Sequence, residues 1–284
     1  MNSPQTMPYR GRIAPSPTGY LHLGHARTFW TAHQRAVAAN GTLIFRDEDL
    51  DRQRCRAEFV EAMYEDLAWF GIRWQEGPDI GGPFAPYRQS ERYSHYFDTW
   101  RKLVNDGYIY PCSCSRKDLA GALQAPHEGL GDDEPIYPGT CRAHIDDANS
   151  YETPDGVSWR FRVPDGEAIH FNDLNLGPQQ FVAGIDFGDF LIWRRDGIPS
   201  YQLAVVADDA AIQVTEIVRG ADLLKSTARQ ILLARALGLP LPAYYHCALM
   251  TDAQGIRLAK RHDALSLRAL RSQGASPEQL RASW

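Results

Sequence analysis

The segment YRGRIAPSPTGYLHLGH, residues 9–25, holds the pattern that decides the fold. Residues 9–14 are typical of a short β-strand, and the prolines at positions 15 and 17 predict a rigid loop after it. Three alternating elements follow: a helix at 23–40, a buried strand at 42–47, and a helix at 57–70 that ends at Gly71. This β-loop-α-β-α order predicts a doubly wound α/β fold with a parallel sheet.

The rest of the chain predicts one more helix, a region of different character, and a return to the α/β pattern. Ser90 is a candidate cap for a helix that ends near Asp106. Residues 108–182 contain three of the five cysteines and many turn residues, which indicates an insertion. The later elements are a helix at 201–211, a strand at 213–219, a helix at 226–237, a strand at 245–250, and short helices from Ser266 and Ser276.

These elements predict a division of the chain into four parts. They are the first half of the α/β core at 1–107, the insertion at 108–182, the second half of the core at 183–262, and a short helical tail at 263–284.

Composition excludes several classes of protein. The 284 residues, 44% of them hydrophobic, can build a core without disulfides, so the five cysteines are no disulfide framework. No apolar run approaches the roughly 18–20 residues of a membrane helix, and residues 1–9 lack the pattern of a secretory signal. We therefore expect a soluble, cytoplasmic protein. The net charge of −5 argues weakly against an RNA partner, so any RNA would have to bind a local patch.

His22 and His25 form a His-x-Gly-His pattern where the loop enters the first helix. The i, i+3 spacing places both imidazoles on one helical face, and the unpaired N–H groups of a helix N-terminus favour phosphate. Gly24 leaves the helix surface bare, so a flat ring such as adenine could lie against it. The alternative is structural, with two polar residues that cap the helix. The position after a strand and a proline-rich loop favours nucleotide binding.

Six motifs in order along the chain resemble the glutamyl-tRNA synthetases, a class I family with a Rossmann-type catalytic core. They are RIAPSPTG at 12–19, HLGH at 22–25, FRDEDLD at 45–51, PYRQSER at 86–92, VTEIVRGADLL at 214–224 and RLAKR at 257–261. The resemblance covers some 250 residues. It implies an α/β fold of the class I synthetase type, a Rossmann-type parallel sheet with an inserted zinc-bearing α+β subdomain.

The resemblance implies one reaction. The carboxylate of an amino acid attacks the α-phosphorus of ATP, and the site must supply positioning and positive charge. His22, Gly24, His25 and Lys260 would bind ATP, with the two histidines and the lysine as catalytic candidates. Mg²⁺ is expected together with ATP. Arg257 and Ala259 depart from the lysine and serine common in the second signature, which predicts weakened activation.

For L-glutamate the resemblance implies a set of six binding residues: Arg12, Ala14, Ser16, Glu48, Tyr201 and Arg219. The two arginines would bind the side-chain carboxylate with help from Ser16, and Glu48 would take the ammonium group. Two alternatives stay open. The arginines could form structural salt bridges, and Asp47, Asp49 and Asp51 crowd the loop of Glu48 and could exchange roles with it.

Cys112, Cys114 and Cys141 form a second constellation. In a cytosolic protein clustered cysteines favour a metal over a disulfide, and three thiolates leave a tetrahedral zinc site one ligand short. By chemistry His127 or His144 could complete the site, whereas the resemblance implies Tyr137. Three buried free thiols are the remaining alternative. The lone Cys55 and Cys247 fit core or incidental positions.

Only 24 residues follow Lys260, too few for the helical anticodon-binding region of the discrete family members. The chain therefore resembles a stand-alone catalytic group of the family, which attaches glutamate to the queuosine base in the anticodon loop of tRNA(Asp). The implied partners are L-glutamate, ATP and queuosine-carrying tRNA(Asp), without a membrane, and we expect a monomer. The alternatives are transfer to a tRNA 3′ end, adenylyl transfer to a small molecule, and an inactive zinc-bearing RNA-binding paralogue.

Overall fold

The computed structural model describes residues 8–115, 136–250, 266–282 and 284. These residues belong to two compact units. The first consists of Met1–Glu91, Gln213–Ala221 and Pro242–Trp284, and the second of Arg92–Ile212 and Asp222–Leu241. Within the described ranges, no helix combines the length and the apolar character that a membrane crossing requires.

Both units contain strands and helices. In chain order they are β1 (Arg10–Ile13), α1 (Leu23–Ala38), β2 (Thr42–Phe45), α2 (Ala57–Phe70), α3 (Tyr93–Asn105), β3 (Ile109–Cys112), β4 (Ser158–Phe161), β5 (Ala168–Asp173), β6 (Gly177–Val182), β7 (Phe190–Trp193), α4 (Tyr201–Ala211), β8 (Glu216–Gly220), α5 (Leu224–Leu237), β9 (Ala243–Cys247), α6 (Leu267–Ser272) and α7 (Pro277–Arg281). Short 3-10 helices lie at Gln89–Glu91, Arg142–Ser150 and Ala221–Leu223.

The sheet of the first unit is parallel. β1 lies between β2 and β8, and β9 pairs with the other edge of β8. The register places Arg12 beside Ile44 and Arg219 beside His246. Because parallel strands end at one edge of a sheet, the residues that follow β1, β2 and β8 gather at the edge where doubly wound sheets bind ligands.

The core of the first unit fixes the helices against this sheet. Strand residues and α2 residues share one buried cluster, which includes Ile13, Phe45, Leu67 and Phe70. α2 keeps both predicted bounds, because Gly71 adopts a φ of +94° and closes the helix in the left-handed conformation. Burial of this apolar face therefore orients the loops that leave β1 and β2.

The second unit is α+β. β3, β4 and β7 form an antiparallel sheet with β4 in the middle, and β5 and β6 form an antiparallel hairpin. A buried ion pair links α3 to α4: Arg92 Nε lies 2.6 Å from Asp208 Oδ1, and the Tyr96 hydroxyl donates to the same carboxylate. Cys112 is the last residue of β3, so this small sheet positions the cysteine cluster.

The predicted fold class is confirmed: a parallel α/β sheet occurs together with an α+β part that carries the cysteines. Three local predictions are wrong. The strand predicted at 245–250 is instead β9 at Ala243–Cys247. Ser90 does not cap α3, because its backbone N–H and its hydroxyl bind Asp49, at 2.8 and 2.6 Å, and the helix begins at Tyr93. β8 begins at Glu216, because Gln213 has a φ of +58°, which is incompatible with a strand.

The predicted partition of the chain, with boundaries near residues 107, 182 and 262, stays a prediction. The last of these boundaries lies outside the described residues.

Candidate active site

The N-terminus of α1 brings the two histidines of the His-x-Gly-His pattern together. Their ring centroids lie 3.8 Å apart, with the ring planes inclined by 28°. His22 is the N-cap of α1, and its Nδ1 accepts a hydrogen bond from the backbone N–H of Gly24 at 3.1 Å. His25 Nδ1 accepts from the backbone N–H of His22 at 3.4 Å. The structural alternative, in which the histidines cap the helix, is therefore realised.

This capping also determines the chemistry of both rings. A neutral imidazole nitrogen that accepts a hydrogen bond carries no proton, so the proton of each neutral ring is assigned to Nε2. An Nε2–H is a donor of the kind that a phosphoryl oxygen needs. Gly24 permits the arrangement, because a Cβ at this position would lie 3.0 Å from His22 Cε1 and push the ring away. The cap thus orients two donors at the helix end that favours phosphate.

Arg12 and Arg219 are both buried, on the neighbouring strands β1 and β8. Arg12 Nη1 donates to the backbone carbonyl of Val218 at 2.9 Å, and Arg219 Nε donates to His246 Nε2 at 3.2 Å. Two buried guanidinium groups therefore stand on adjacent parallel strands, near the edge where these strands end. Such a pair of cations is suited to bind a carboxylate, which requires ionic partners when it leaves water.

The acidic loop after β2 holds its carboxylates in different environments. Glu48 forms an ion pair with the buried Arg46, at 2.8 Å between Oε1 and Nη2. Asp49 accepts the two hydrogen bonds that displace the predicted helix cap. Asp47 is 1% exposed, with its Oδ2 4.0 Å from Nε of Arg88. Each of the three carboxyl groups has a described partner, so the assignment of the ammonium group to Glu48 stays a prediction from the resemblance.

The other predicted site residues differ in exposure. Ala14 is half-buried and Ser16 is exposed, both in the loop after β1. Tyr201 is the first residue of α4, is 39% exposed, and belongs to the second unit. Lys260 lies outside the described residues, as do Arg257 and Ala259 of the same motif.

The three predicted cysteines converge in the second unit. The Sγ atoms of Cys112, Cys114 and Cys141 lie within 4.8 Å of one another, and those of Cys114 and Cys141 are 3.6 Å apart. The Oη of Tyr137 lies 3.4 Å from Cys112 Sγ and 3.4 Å from Cys114 Sγ. Zinc–ligand bonds at tetrahedral angles give S···S distances of about 3.8 Å and S···O distances of about 3.5 Å. The four ligand atoms therefore fit a single zinc ion.

The surroundings of this cluster shift the pKa values of its members in opposite directions, because burial and hydrogen bonds to the thiols raise that of Cys114 whereas that of Cys141 falls. Arg160 is buried, and its guanidinium carbon lies 4.0 Å from the centre of the Tyr137 ring. Burial alone would raise the pKa of Cys141, but hydrogen bonds from Tyr137, the Ser113 backbone and the other thiols outweigh it and lower that pKa to about 6. Burial and hydrogen bonds to the thiols raise the pKa of Tyr137, so the phenol keeps its proton until a cation replaces it.

His144 is not part of the cluster. Its Nδ1 lies 3.2 Å from Asp147 Oδ2, and its side chain is exposed. In the part of the chain that the structure describes, the cysteine cluster is the one group of three or more His, Cys, Asp or Glu ligands. His127, the other histidine alternative, lies outside the described residues.

Two side chains that support the candidate site were missed in the sequence. Arg46 is buried and pairs with Glu48, and its place inside the FRDEDLD motif was the available signal. His246 is fully buried on β9 and accepts from Arg219, which is 27 positions earlier in the chain. Only the parallel pairing of β8 with β9 brings these two residues side by side, so no local spacing could reveal the contact.

The parallel sheet, the helix-capping histidines and the buried arginines define a nucleotide-binding α/β enzyme. The family model for the catalytic domain of class I tRNA synthetases (E and Q) matches residues 9–283, so the chain belongs to this family of aminoacyl-tRNA synthetases.

Individual relatives agree with this assignment. The Glutamyl-Q tRNA(Asp) synthetase of Symbiobacterium thermophilum is 50% identical over 270 residues, which cover 94% of this chain and 83% of that protein. The Glutamate--tRNA ligase 2 of Acidithiobacillus ferrooxidans is 46% identical over 272 residues, which cover 95% of this chain and 56% of that ligase. The crystal structure of the glutamate-tRNA synthetase from Elizabethkingia anophelis matches with a TM-score of 0.77 and 30% identity, over 89% of this chain and 52% of that one.

Proposed function

We propose that the protein activates L-glutamate with ATP and transfers it to the queuosine base in the anticodon loop of tRNA(Asp). Family membership supports ATP, with Mg²⁺, as the activating substrate and a tRNA as the acceptor. The observation that carries the choice of acceptor is the 50% identity, over 94% of the chain, to a relative named Glutamyl-Q tRNA(Asp) synthetase. A cytoplasmic location and a monomeric state stay predictions.

Activation needs positioning and positive charge more than it needs a base. The glutamate α-carboxylate is already a nucleophile; its oxygen forms a bond to the α-phosphorus as the bond to pyrophosphate breaks. In our proposal His22 and His25 donate from Nε2 to the phosphoryl oxygens, because their Nδ1 atoms are engaged by the backbone. Lys260 would neutralise the departing pyrophosphate. An acceptor hydroxyl then attacks the adenylate carbonyl, which gives an ester and releases AMP.

Recognition of glutamate would depend on charge. We assign the side-chain carboxylate to Arg12 and Arg219, whose buried positions on adjacent strands support the assignment. Glu48 would take the ammonium group, held in place by Arg46. Ala14 and Ser16 follow β1 in the same unit and would line the bound amino acid. Tyr201 stays a candidate from the resemblance alone.

We also propose a structural zinc ion bound by Cys112, Cys114, Cys141 and Tyr137. The distances from Tyr137 Oη to the Sγ atoms of Cys112 and Cys114, and that between the Sγ atoms of Cys114 and Cys141, are close to those of a tetrahedral site, and the third thiol lies within 4.8 Å of the other two. When bound, the ion would join the end of β3 to the segment before the 3-10 helix Arg142–Ser150.

The deciding experiment measures transfer of labelled glutamate to queuosine-containing tRNA(Asp), to the same tRNA without queuosine, and to tRNA(Glu). We expect product only with the first RNA. Queuosine-containing tRNA(Asp) that lacks its 3′-terminal adenosine serves as the matched control and should accept glutamate equally well, because the attachment point is in the anticodon loop.

Labelling of tRNA(Glu), or loss of labelling when the 3′-terminal adenosine is removed, would show a conventional glutamate–tRNA ligase instead. Glutamate-independent exchange of ATP with pyrophosphate would point to another adenylyl transfer reaction.

A further inference from the structure

The first unit contains a cleft of about 560 Å³ that the activation chemistry does not use. It is lined by residues 18–20, by Phe59 of α2, and by residues of the segment 266–272. None of the residues His22, Gly24 and His25 is part of this lining. The volume falls within the roughly 300–1,000 Å³ of ligand pockets.

Two arginines flank a pair of aromatic rings at this cleft. The guanidinium carbon of Arg268 lies 5.6 Å from the centre of the Tyr20 ring, and that of Arg56 lies 5.9 Å from the centre of the Phe59 ring. Between them, Tyr20 and Phe59 meet edge to face, with centroids 5.0 Å apart and an interplanar angle of 86°. We call this row the arginine–aromatic row. Tyr20 is 38% exposed, so one large ring of the row is open to a partner.

Arginines are concentrated in two segments near the row. Segments 52–56 and 266–272 contain five arginines and no acidic residue, although the whole chain has a net charge of −5. Arg52, Arg54 and Arg56 are exposed at the start of α2. Glu65 and the buried Asp66 pair with Arg268 from α2, which holds this guanidinium over the Tyr20 ring. Arg56 pairs in the same way with Glu58, at 3.4 Å between Nη1 and Oε1, so the exposed Arg52 and Arg54 are the arginines that we assign to RNA phosphates.

We propose that the arginine–aromatic row binds an unpaired nucleobase of the tRNA substrate, with the adjoining phosphates on Arg52 and Arg54. This inference rests on the proposed function, which makes a tRNA the acceptor. Aromatic faces and guanidinium planes stack on bases that are splayed out of a loop, whereas a duplex hides the faces of its bases. An exposed tyrosine in a cleft, with exposed arginines in the segment before α2, therefore fits single-stranded RNA.

The cleft is connected directly to the candidate nucleotide site. Tyr20 is two positions before His22, and the Leu267 backbone N–H donates to the Leu21 carbonyl at 2.7 Å. Ser266 and His22 form a β-bridge beside this contact. A base stacked on Tyr20 would therefore hold an RNA loop next to the N-terminus of α1. The row would position the acceptor for attack on the adenylate.

The test compares the wild-type chain with Tyr20→Leu and Tyr20→Phe. The probe is a short RNA hairpin with a fluorescent adenine analogue in its single-stranded loop, and a blunt duplex of the same stem is the reference RNA. In the wild type, stacking on Tyr20 should quench the fluorescence of the analogue. We expect Tyr20→Leu to weaken hairpin binding by about 5- to 100-fold and to abolish this quenching, because stacking is lost. Tyr20→Phe keeps a ring and should bind like the wild type, and duplex binding should be unchanged by either substitution.

Tyr108→Leu is the matched control, because Tyr108 is 39% exposed and belongs to the second unit. It should leave hairpin binding unchanged. Equal loss for hairpin and duplex, or equal loss for Tyr20→Leu and Tyr108→Leu, would overturn the inference. A free mononucleotide that reverses the fluorescence change of the analogue while the hairpin stays bound would overturn it as well, because the loop base would then not be needed for binding.

The binding assay contains neither glutamate nor ATP, so it is separate from the proposed function. Stacking on Tyr20 without glutamate transfer to queuosine would refute the function and retain the RNA site. Transfer that is insensitive to Tyr20→Leu, in both KM for tRNA and kcat, would retain the function and refute the site.

Discussion

Asp47 is a buried carboxylic acid beside the candidate site. It is 1% exposed and stands directly before Glu48. Burial raises the pKa of Asp47 to about 7, the charges of Asp49 and other acids add to the shift, and Arg88 opposes it. The charged or titratable groups around this carboxyl are Glu48, Asp49, Cys55, Tyr64, Arg88 and Glu91. A buried acid at the candidate site thus makes the fold sensitive to pH.

The sign of this sensitivity follows from linkage. Because the folded-state pKa of about 7 lies above the ordinary value of 3.8, the folded protein binds more protons than the unfolded chain between these values. The contribution of protonated Asp47 to the free energy of unfolding is fully present below about pH 4, and it is lost as the pH rises through about 7. We expect Asp47→Asn to raise the free energy of unfolding by about 4 kcal/mol at pH 8 and by about 2 kcal/mol at pH 5.

Urea unfolding at both pH values measures this difference. Asp106→Asn, at an exposed position after α3, is the control and should show no pH-dependent gain. A gain from Asp47→Asn that is the same at pH 5 and pH 8 would refute the shifted titration.

His246 is a positioning residue for Arg219. Its Nε2 accepts from Arg219 Nε at 3.2 Å, and the imidazole is fully buried. We expect His246→Leu to raise KM for glutamate by about 10- to 100-fold, because a hydrogen bond to a charged group is lost. KM for ATP should change little, and His246→Gln, which keeps an acceptor, should restore most of the affinity. A fall in kcat with both KM values unchanged would contradict the positioning role.

At the scale of helices and strands, the sequence predicted the bounds of a helix correctly where a residue at the helix end caps or stops it. α2 keeps its predicted bounds because Gly71 stops it, and α6 and α7 begin after Ser266 and Ser276, which cap them. The prediction that Ser90 caps α3 failed because Ser90 donates its hydrogen bonds to Asp49, which is 41 positions away in the sequence. β5, β6 and β7 were not predicted as separate strands, since antiparallel pairing within the second unit decides them rather than a local pattern.

For the candidate site as well, the sequence predicted contacts between residues that are close in the chain, but not contacts that depend on strand pairing. His22 and His25 lie within one turn of helix, so their spacing alone predicted their proximity. Arg12 and Arg219 were matched through the family resemblance, and only the pairing of β1 with β8 places them on neighbouring strands. The burial of Asp47 could not be predicted, because charged neighbours in sequence indicate a solvated loop rather than a buried carboxylate.

The cysteine cluster gives a prediction for the second unit. A zinc ion would hold the end of β3 against the chain around Cys141, so its removal should destabilise these elements. We expect purified wild-type protein to contain bound zinc, Cys141→Ser to lose it, and Tyr137→Phe to bind zinc about 10- to 100-fold more weakly. Elemental analysis and competition with a chelator measure these changes. Cys55→Ser is the control; zinc content that is equal in all variants would exclude the site.

On the scale of the whole molecule, the chain is acidic, and arginines are concentrated locally beside the cleft. The chain carries 35 Asp and Glu residues against 30 Lys and Arg residues. Its net charge therefore does not attract RNA over long distances, and any contact must be local. The fold provides such a patch by bringing the segment 52–56 next to Tyr20, Phe59 and the segment 266–272. The sequence did not show this patch, because its basic and aromatic residues come from separate segments.

This local patch predicts a weak dependence of RNA affinity on salt. Each phosphate contact contributes about −0.7 to −0.9 to the slope of log affinity against log salt, so a few arginines give a shallow slope. Arg54→Gln should reduce the slope by about 1 and weaken binding to hairpins of any loop sequence alike. Arg194→Gln is the matched control, because Arg194 is partly exposed, pairs with Asp196 and belongs to the second unit. Hairpin affinity is measured for the three proteins across a salt series. A slope that changes equally in both variants, or in neither, would mean that RNA phosphates bind elsewhere than beside the arginine–aromatic row.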